Sequence, residues 1–222
     1  MFRLGERNTE PFIMTKKETS EQIGRYSKHK GDRGEREVAK MLGSFFLDDE
    51  NAFARFGNEV AGRIPGDVGI FIKNNMSLTT KLWEIFPFSF EVKNREDWFF
   101  ESLVNNPKHS TIIQFWKQAV DEAERFKKVP FLIIKKNRHP FYGIIDPTLA
   151  YDKFGESLTM PYIYITSTIY PTCEERQVSK RKYLLAIFKL EDFIEMNRCS
   201  VFVSKLKEMY KLLMEREQHE RR

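Results

Sequence analysis

The stretch Phe88-Ser89-Phe90-Glu91-Val92-Lys93 decides how the rest of this chain is read. It follows Phe86-Pro87, and its apolar residues favour an extended, buried strand. Side chains alternate along a strand, so Glu91 and Lys93 share one face and Val92 enters the other. A glutamate and a lysine at the end of a buried strand are costly without partners. A bound cation would satisfy the glutamate, and a lysine beside a metal could orient or help deprotonate a water. It is the only acidic-x-Lys triplet in the chain. Alone it also fits a surface ion pair at a strand end, and its place after the phenylalanine run is what makes it informative.

Upstream, Arg63-Ile64-Pro65-Gly66-Asp67 stands directly before Val68-Gly69-Ile70-Phe71-Ile72. Asp67 therefore lies at the mouth of a second strand. Two strands that meet with one carboxylate each make an oxygen site suited to magnesium or manganese. An aspartate after Pro-Gly is also an ordinary turn residue. Further upstream is Gly31-Asp32-Arg33-Gly34-Glu35-Arg36-Glu37. At 100° per residue Glu35 falls on the face of Val38, Ala39 and Leu42, while Glu37 points away. Glu35 should then face the sheet from the first helical turn, where the helix dipole alone would also favour a carboxylate.

Around these segments, residues 1–25 lack periodicity and read as a flexible arm. A helix is predicted from near Asp32 to about Phe46, preceded by the basic stretch Arg25, Lys28, Lys30 and Arg33. Ala52–Phe56, Val68–Ile72 and Phe88–Val92 read as strands, and Gly57–Gly66 as a loop. Lys73–Thr80 is polar and turn-like. Residues 111–127 suit a second helix, with Ile112, Trp116, Ala119, Val120 and Ala123 on one face. Phe131–Ile134 reads as a buried strand with a hairpin partner at Phe141–Ile145. Tyr162–Thr166 and Tyr183–Phe188 are further strands. From about Val201 the chain is helical, with Val203, Leu206, Tyr210 and Leu213 as a narrow apolar stripe. The division expected is an arm at 1–25, a main domain at 26–190 and a C-terminal helical extension at 191–222. The order of elements implies an α/β fold with a central mixed β-sheet flanked by helices.

A chain of 222 residues with 41% hydrophobic residues can bury a real core, and net charge +5 with pI about 9.1 favours a polyanionic partner. No run of about 18 apolar residues suggests a membrane span, and the N-terminus has no signal-peptide stretch. Cys173 and Cys199 lack metal-ligand spacing, which fits a reducing, cytoplasmic setting. There is no phosphate-binding Gly-x-x-x-x-Gly-Lys loop and no Gly-x-Ser-x-Gly elbow. The histidines, at 29, 109, 139 and 219, form no His-x-x-x-His pair. These absences weigh against nucleotide hydrolysis, serine hydrolysis and zinc-peptidase chemistry. The 20 phenylalanines lie mostly in apolar runs and read as core.

An acidic helix start, an acidic strand start and Glu-x-Lys, in that order, resemble the PD-(D/E)xK nuclease superfamily. Within it the sequence is most similar to Holliday junction resolvases of archaeal and phage type. Lys30–Glu37, Ile64–Val68 and Phe88–Lys93 carry the likeness, with Phe115-Trp116-Lys117-Gln118-Ala119 and the strand at Pro130–Lys136 beyond them. It covers roughly residues 26–146. The family often has proline directly before the aspartate, and here Gly66 intervenes.

The resemblance implies a restriction-endonuclease-like fold and a Mg2+-dependent endodeoxyribonuclease, with Mn2+ as a substitute. Asp67 and Glu91 would ligate the metal together with the Val92 carbonyl. Lys93 would hold the attacking water, and Glu35 would reach the metal directly or through water. Gln118 would sit near the site. Arg33, Arg36, Arg55, Arg63 and Arg95 stand close enough in sequence to contact DNA phosphates, and Lys135, Lys136 and Arg138 could do the same. The expected substrate is branched DNA such as a four-way junction, and the expected assembly is a homodimer; the Val203–Leu213 stripe either packs on its own domain or adds surface to that dimer. The rivals are a nuclease of the same superfamily acting on linear DNA in restriction or repair, and an inactive DNA-binding module of the same fold.

Overall fold

Successive residues of Val129–Lys135 face different cores. Val129, Phe131 and Ile133 join one buried cluster, while Leu132 and Ile134 join another. Burial on both faces explains why this strand is apolar throughout and why it lies mid-sheet. The computed structural model describes residues 20–56, 66–154, 163–174 and 177–220.

Its seven strands are β1 (Phe53–Arg55), β2 (Val68–Ile70), β3 (Phe88–Asn94), β4 (Val129–Lys135), β5 (Tyr142–Ile145), β6 (Ile163–Glu174) and β7 (Gln177–Lys189). They form one mixed sheet in the order β1-β2-β3-β4-β5-β7-β6. Only β3 and β4 are parallel, from Phe88↔Val129 to Asn94↔Lys135, and the other neighbouring pairs are antiparallel. Helices α1 (Ser20–Leu47), α2 (Met76–Ile85), α6 (Leu190–Asn197) and α7 (Val201–Glu220) contribute to the first cluster. Helices α3 (Glu101–Asn105) and α4 (Thr111–Arg125), which form the crossover between β3 and β4, contribute to the second. Helix α5 (Pro147–Phe154) follows β5. The expected central mixed sheet with flanking helices is what the chain forms.

Phenylalanine fills the first core. The Phe46 ring lies 5.1 Å from Phe86 and 6.2 Å from Phe53 and Phe90, and Phe131 lies 5.2 Å from Phe90. Such stacked, tilted and edge-to-face contacts add to the stabilisation from the area each ring buries.

Several elements differ from the sequence-based expectation, and one alternative it left open, the packing of the α7 stripe, is decided. Helix α1 begins at Ser20 rather than near Asp32, so the end of the supposed arm is helical. Between Ser20 and Lys30 only Ile23 and Tyr26 are large and apolar, so those turns show no amphipathic stripe, and Gly31 resembles a helix break. Helix α2 replaces most of the turn expected at Lys73–Thr80. The Asn75 side chain caps it by accepting from Leu78 N–H at 2.9 Å, and Leu78, Thr79 and Leu82 are buried. Strands β6 and β7 extend well beyond the two short segments expected. The stripe on α7 packs inward, with Val203, Leu206 and Tyr210 buried in the first core and Leu213 against it. The Tyr210 hydroxyl also donates to Asp49 Oδ2 at 2.9 Å, so this stripe supplies no free surface to a second subunit. Among the described residues no helix is long and apolar enough to cross a membrane.

Candidate active site

Strands β2 and β3 are joined through the pair Val68↔Phe90, supported by Asp67 N–H donating to the Phe90 carbonyl at 2.7 Å. Beyond that point a side chain takes over from the backbone ladder, and Val92 N–H donates to Asp67 Oδ2 at 2.9 Å. The Asp67 carboxylate is thereby fixed beside the end of β3.

Gly66 sets this up. Its φ is +82°, in the left-handed region. A Cβ there would lie 2.8 Å from the Phe90 nitrogen and closer still to the Phe90 carbonyl oxygen. Its N–H donates to Glu122 Oε1 of α4 at 3.1 Å. Proline, with φ locked near −65° and no N–H, cannot do either. The departure from proline-before-aspartate therefore has a local geometric cause.

Glu91 is only 2% exposed. Neither of its carboxylate oxygens accepts a hydrogen bond of ordinary geometry, and the Lys93 ammonium lies against Oε1. Burial, then repulsion from Asp67, pushes the Glu91 carboxyl up to about 8. Asp67 is raised as well, by burial first, although Lys93 and the Val92 N–H pull the other way. Two buried carboxylates this close do not both ionise readily without a cation. For Lys93, burial works against the charge, but Glu91 and Asp67 outweigh it and the net shift is upward. Lys93 is therefore a firmly held ammonium, suited to donating hydrogen bonds to a water rather than removing its proton.

Glu35 reaches the same place from α1. Gly34 permits the approach, because a Cβ there would sit 2.9 Å from Asn94 Nδ2, and Asn94 itself donates to the Lys30 carbonyl at 3.0 Å. Glu35 Oε2 accepts from Arg55 Nε, and Arg55 Nη2 also pairs with Asp32 Oδ1 at 2.6 Å. Burial and then Asp67 raise the Glu35 carboxyl, against the pull of Arg55. Glu35, Asp67, Val92 and Lys93 all line one cleft of about 660 Å³, walled also by Lys30, Asn94, Arg95, Glu96, Asp97 and Asn137. A larger groove of about 940 Å³ lies among Lys40, Phe45, Glu191, Arg198 and Lys207 and holds none of these acids.

The basic candidates divide. Arg33 and Arg36 are exposed on α1. Arg95 lines the cleft and makes a bidentate pair with Asp97, at 3.1 and 3.0 Å. Arg55 is engaged by Asp32 and Glu35, so it organises carboxylates rather than standing free for phosphate. Arg63 lies outside the described residues. Gln118 is exposed on α4 and does not line the cleft. The α4 side chain at the site is Glu122, one turn further along. The sequence reading missed it, although Glu122 shares the Gln118 face at i+4 spacing.

The model of phage putative PDDEXK endonucleases matches residues 26–203. The chain belongs to this family. It is also 32% identical to Protein D14 of Escherichia phage T5 over 125 residues, covering 54% of this chain and 71% of that protein. No solved structure matches significantly. Asp67, Glu91 and Lys93 all lie within the matched residues. Such nucleases generally use divalent metals, and the buried Glu91 carboxylate, set beside Asp67 and paired with Lys93, fits one. Among the described residues no three His, Cys, Asp or Glu side chains gather as a ligand set. The fit therefore rests on two carboxylates and nearby backbone oxygen, an oxygen-rich set that suits a hard cation keeping several waters.

Proposed function

We propose that this PDDEXK protein is a magnesium-dependent, structure-selective endonuclease that hydrolyses phosphodiesters in branched DNA, as a Holliday junction resolvase does. The observation that carries this reading is Glu91, a buried carboxylate without ordinary hydrogen-bond donors, placed against Asp67 and Lys93 beside an open cleft. Asp67, Glu91 and the Val92 carbonyl hold the metal, with Mn2+ as a substitute. The bound ion supplies Lewis acidity toward the scissile phosphate and a more acidic water. Lys93 donates to the attacking water and aligns it. Asp67 is held in place by Val92 N–H and by the Gly66 turn that Glu122 secures. Arg55 holds Glu35 at the cleft wall, where its carboxylate would be available to a water in the cleft.

Arg33, Arg36 and Arg95, with Lys135, Lys136 and Arg138, are proposed to contact phosphate and set the strand's position without reading bases. A homodimer would present two such clefts about a twofold axis. A four-way junction offers strands related by the same symmetry, so the second cut would follow within one complex. The test is incubation with four-way, three-way, linear duplex and single-stranded DNA of matched sequence, each with and without magnesium. Junction cutting that greatly exceeds duplex cutting is expected. Equal cutting of both would reject junction selectivity and point to a nuclease of linear DNA.

A further inference from the structure

The sequence Asp97-Trp98-Phe99-Phe100 follows the end of β3, and its first residue, Asp97, lines the cleft. Its aromatic residues have different fates. Trp98 is 1% exposed, and Phe100 packs between Trp98 and Tyr142 at ring distances of 5.1 and 4.9 Å. Phe99 is 57% exposed. Nothing in the core requires a large apolar ring at that position.

The backbone that carries the ring is fixed by hydrogen bonds. The Phe99 carbonyl accepts from Ser102 Oγ at 2.6 Å and Ser102 N–H at 3.2 Å. Trp98 Nε1 donates to the Lys135 carbonyl at 3.3 Å, and Lys136 Nζ donates to the Trp98 carbonyl at 3.2 Å. The same ammonium stands 4.5 Å from the Phe99 ring centroid and 4.7 Å from that of Trp98. The nearby acids are already matched, Glu96 by Lys30 and Asn137 N–H and Asp97 by Arg95. An anionic strand thus meets little unbalanced negative charge here, apart from exposed Glu101.

We propose that Phe99, with Lys136 beside it, is a stacking site for an unpaired nucleobase of the DNA whose backbone lies in the cleft. This rests on the nuclease reading above and specifies the substrate it takes. An exposed ring on a fixed backbone, with an adjacent cation, is what base stacking on single strands needs: a π face, and a positive charge for the flanking phosphate. Phe99 is six residues beyond Lys93, at most roughly 20 Å of extended chain away. That is within about six stacked nucleotides of the Asp67–Glu91 pair at 3.4 Å each. A base already unpaired at a branch, gap or flap reaches the ring without the cost of opening a duplex. Stacking there would favour DNA with unpaired bases close to the cut.

The test uses the full chain in calcium or EDTA, where binding is read without turnover. Two probes of equal length are compared: a continuous duplex, and a duplex with a short single-stranded gap carrying 2-aminopurine. The wild type is expected to prefer the gapped probe and to quench the 2-aminopurine. Phe99→Ala should lower the gapped-to-duplex affinity ratio by about five-fold or more and relieve the quenching, while Phe99→Trp should restore both. An unchanged ratio and unchanged quenching in Phe99→Ala, with DNA cleavage intact in the wild type, would overturn the stacking site alone. Failure of the wild type to bind or cut any DNA would overturn the nuclease reading with it. A change in sedimentation mass with no change in the ratio would assign Phe99 to self-association and reject the base site.

Discussion

Replacing Glu91 by glutamine keeps the shape of the side chain and removes its charge. In the metal-free protein this should stabilise the fold above mild acidity, because Glu91 is pushed up to about 8 from an ordinary 4.5, by burial first and Asp67 second. A carboxyl raised on folding binds its proton more tightly in the native state. Stability is therefore lost as pH rises from about 4.5 towards 8, and the native protein is favoured by acid within that window. One group titrating in this way costs about 1.4 kcal/mol per pH unit. Between pH 5.5 and 7.5 the wild type should lose about 2–3 kcal/mol that Glu91→Gln does not lose. For a chain of this size that is roughly 5–10 °C in Tm. Asp67 is raised in the same direction and adds to the slope. The assay is calorimetry in EDTA at both pH values, repeated with magnesium, which should narrow the gap by binding the ionised pair. Parallel pH dependence for wild type and Glu91→Gln would refute the reasoning.

Other changes have separate expected outcomes. Gly66→Ala places a Cβ against the Phe90 backbone at φ +82°, and should cost about 1–3 kcal/mol in urea unfolding; a change below about 0.5 kcal/mol would show that the turn relaxes freely. Glu122→Ala removes the acceptor of Gly66 N–H and should weaken magnesium binding several-fold by calorimetric titration, whereas Glu122→Gln, which keeps an acceptor, should retain most of it; equal loss in both would assign the effect to charge. Lys93→Ala should abolish cleavage while leaving DNA binding in calcium intact, and full activity would remove Lys93 from the mechanism.

The gathering of Glu35, Asp67 and Lys93 at one cleft, with Glu91 against Lys93, was legible in sequence because each lies in a short run with a simple periodicity. The run Phe88–Lys93 announces a strand whose acid and lysine share a face, and Asp67 stands one residue before the next apolar run. Glu35 was found because helical spacing places it with Val38 and Leu42. Glu122 escaped because its role is to accept from one backbone N–H 56 residues away, and no local pattern encodes that. Arg55 looked like a phosphate contact because sequence cannot show that Asp32 and Glu35 close upon it. Helix α1 was begun too late because its first turns have no apolar stripe, and α2 was missed because its decisive signal is one asparagine cap. The α7 stripe carried a correct periodicity, but a stripe does not say whether it meets its own core or another chain.

The most direct measurement is magnesium-dependent cleavage of end-labelled DNA by the wild type and by Asp67→Asn, each with magnesium and with EDTA. The substitution removes the charge and keeps the side chain's size. The wild type should cut only with magnesium, and Asp67→Asn should bind the DNA yet fail to cut it in either condition. Cutting by the wild type in EDTA, or wild-type rates in Asp67→Asn, would contradict a metal-dependent nuclease centred on Asp67 and Glu91.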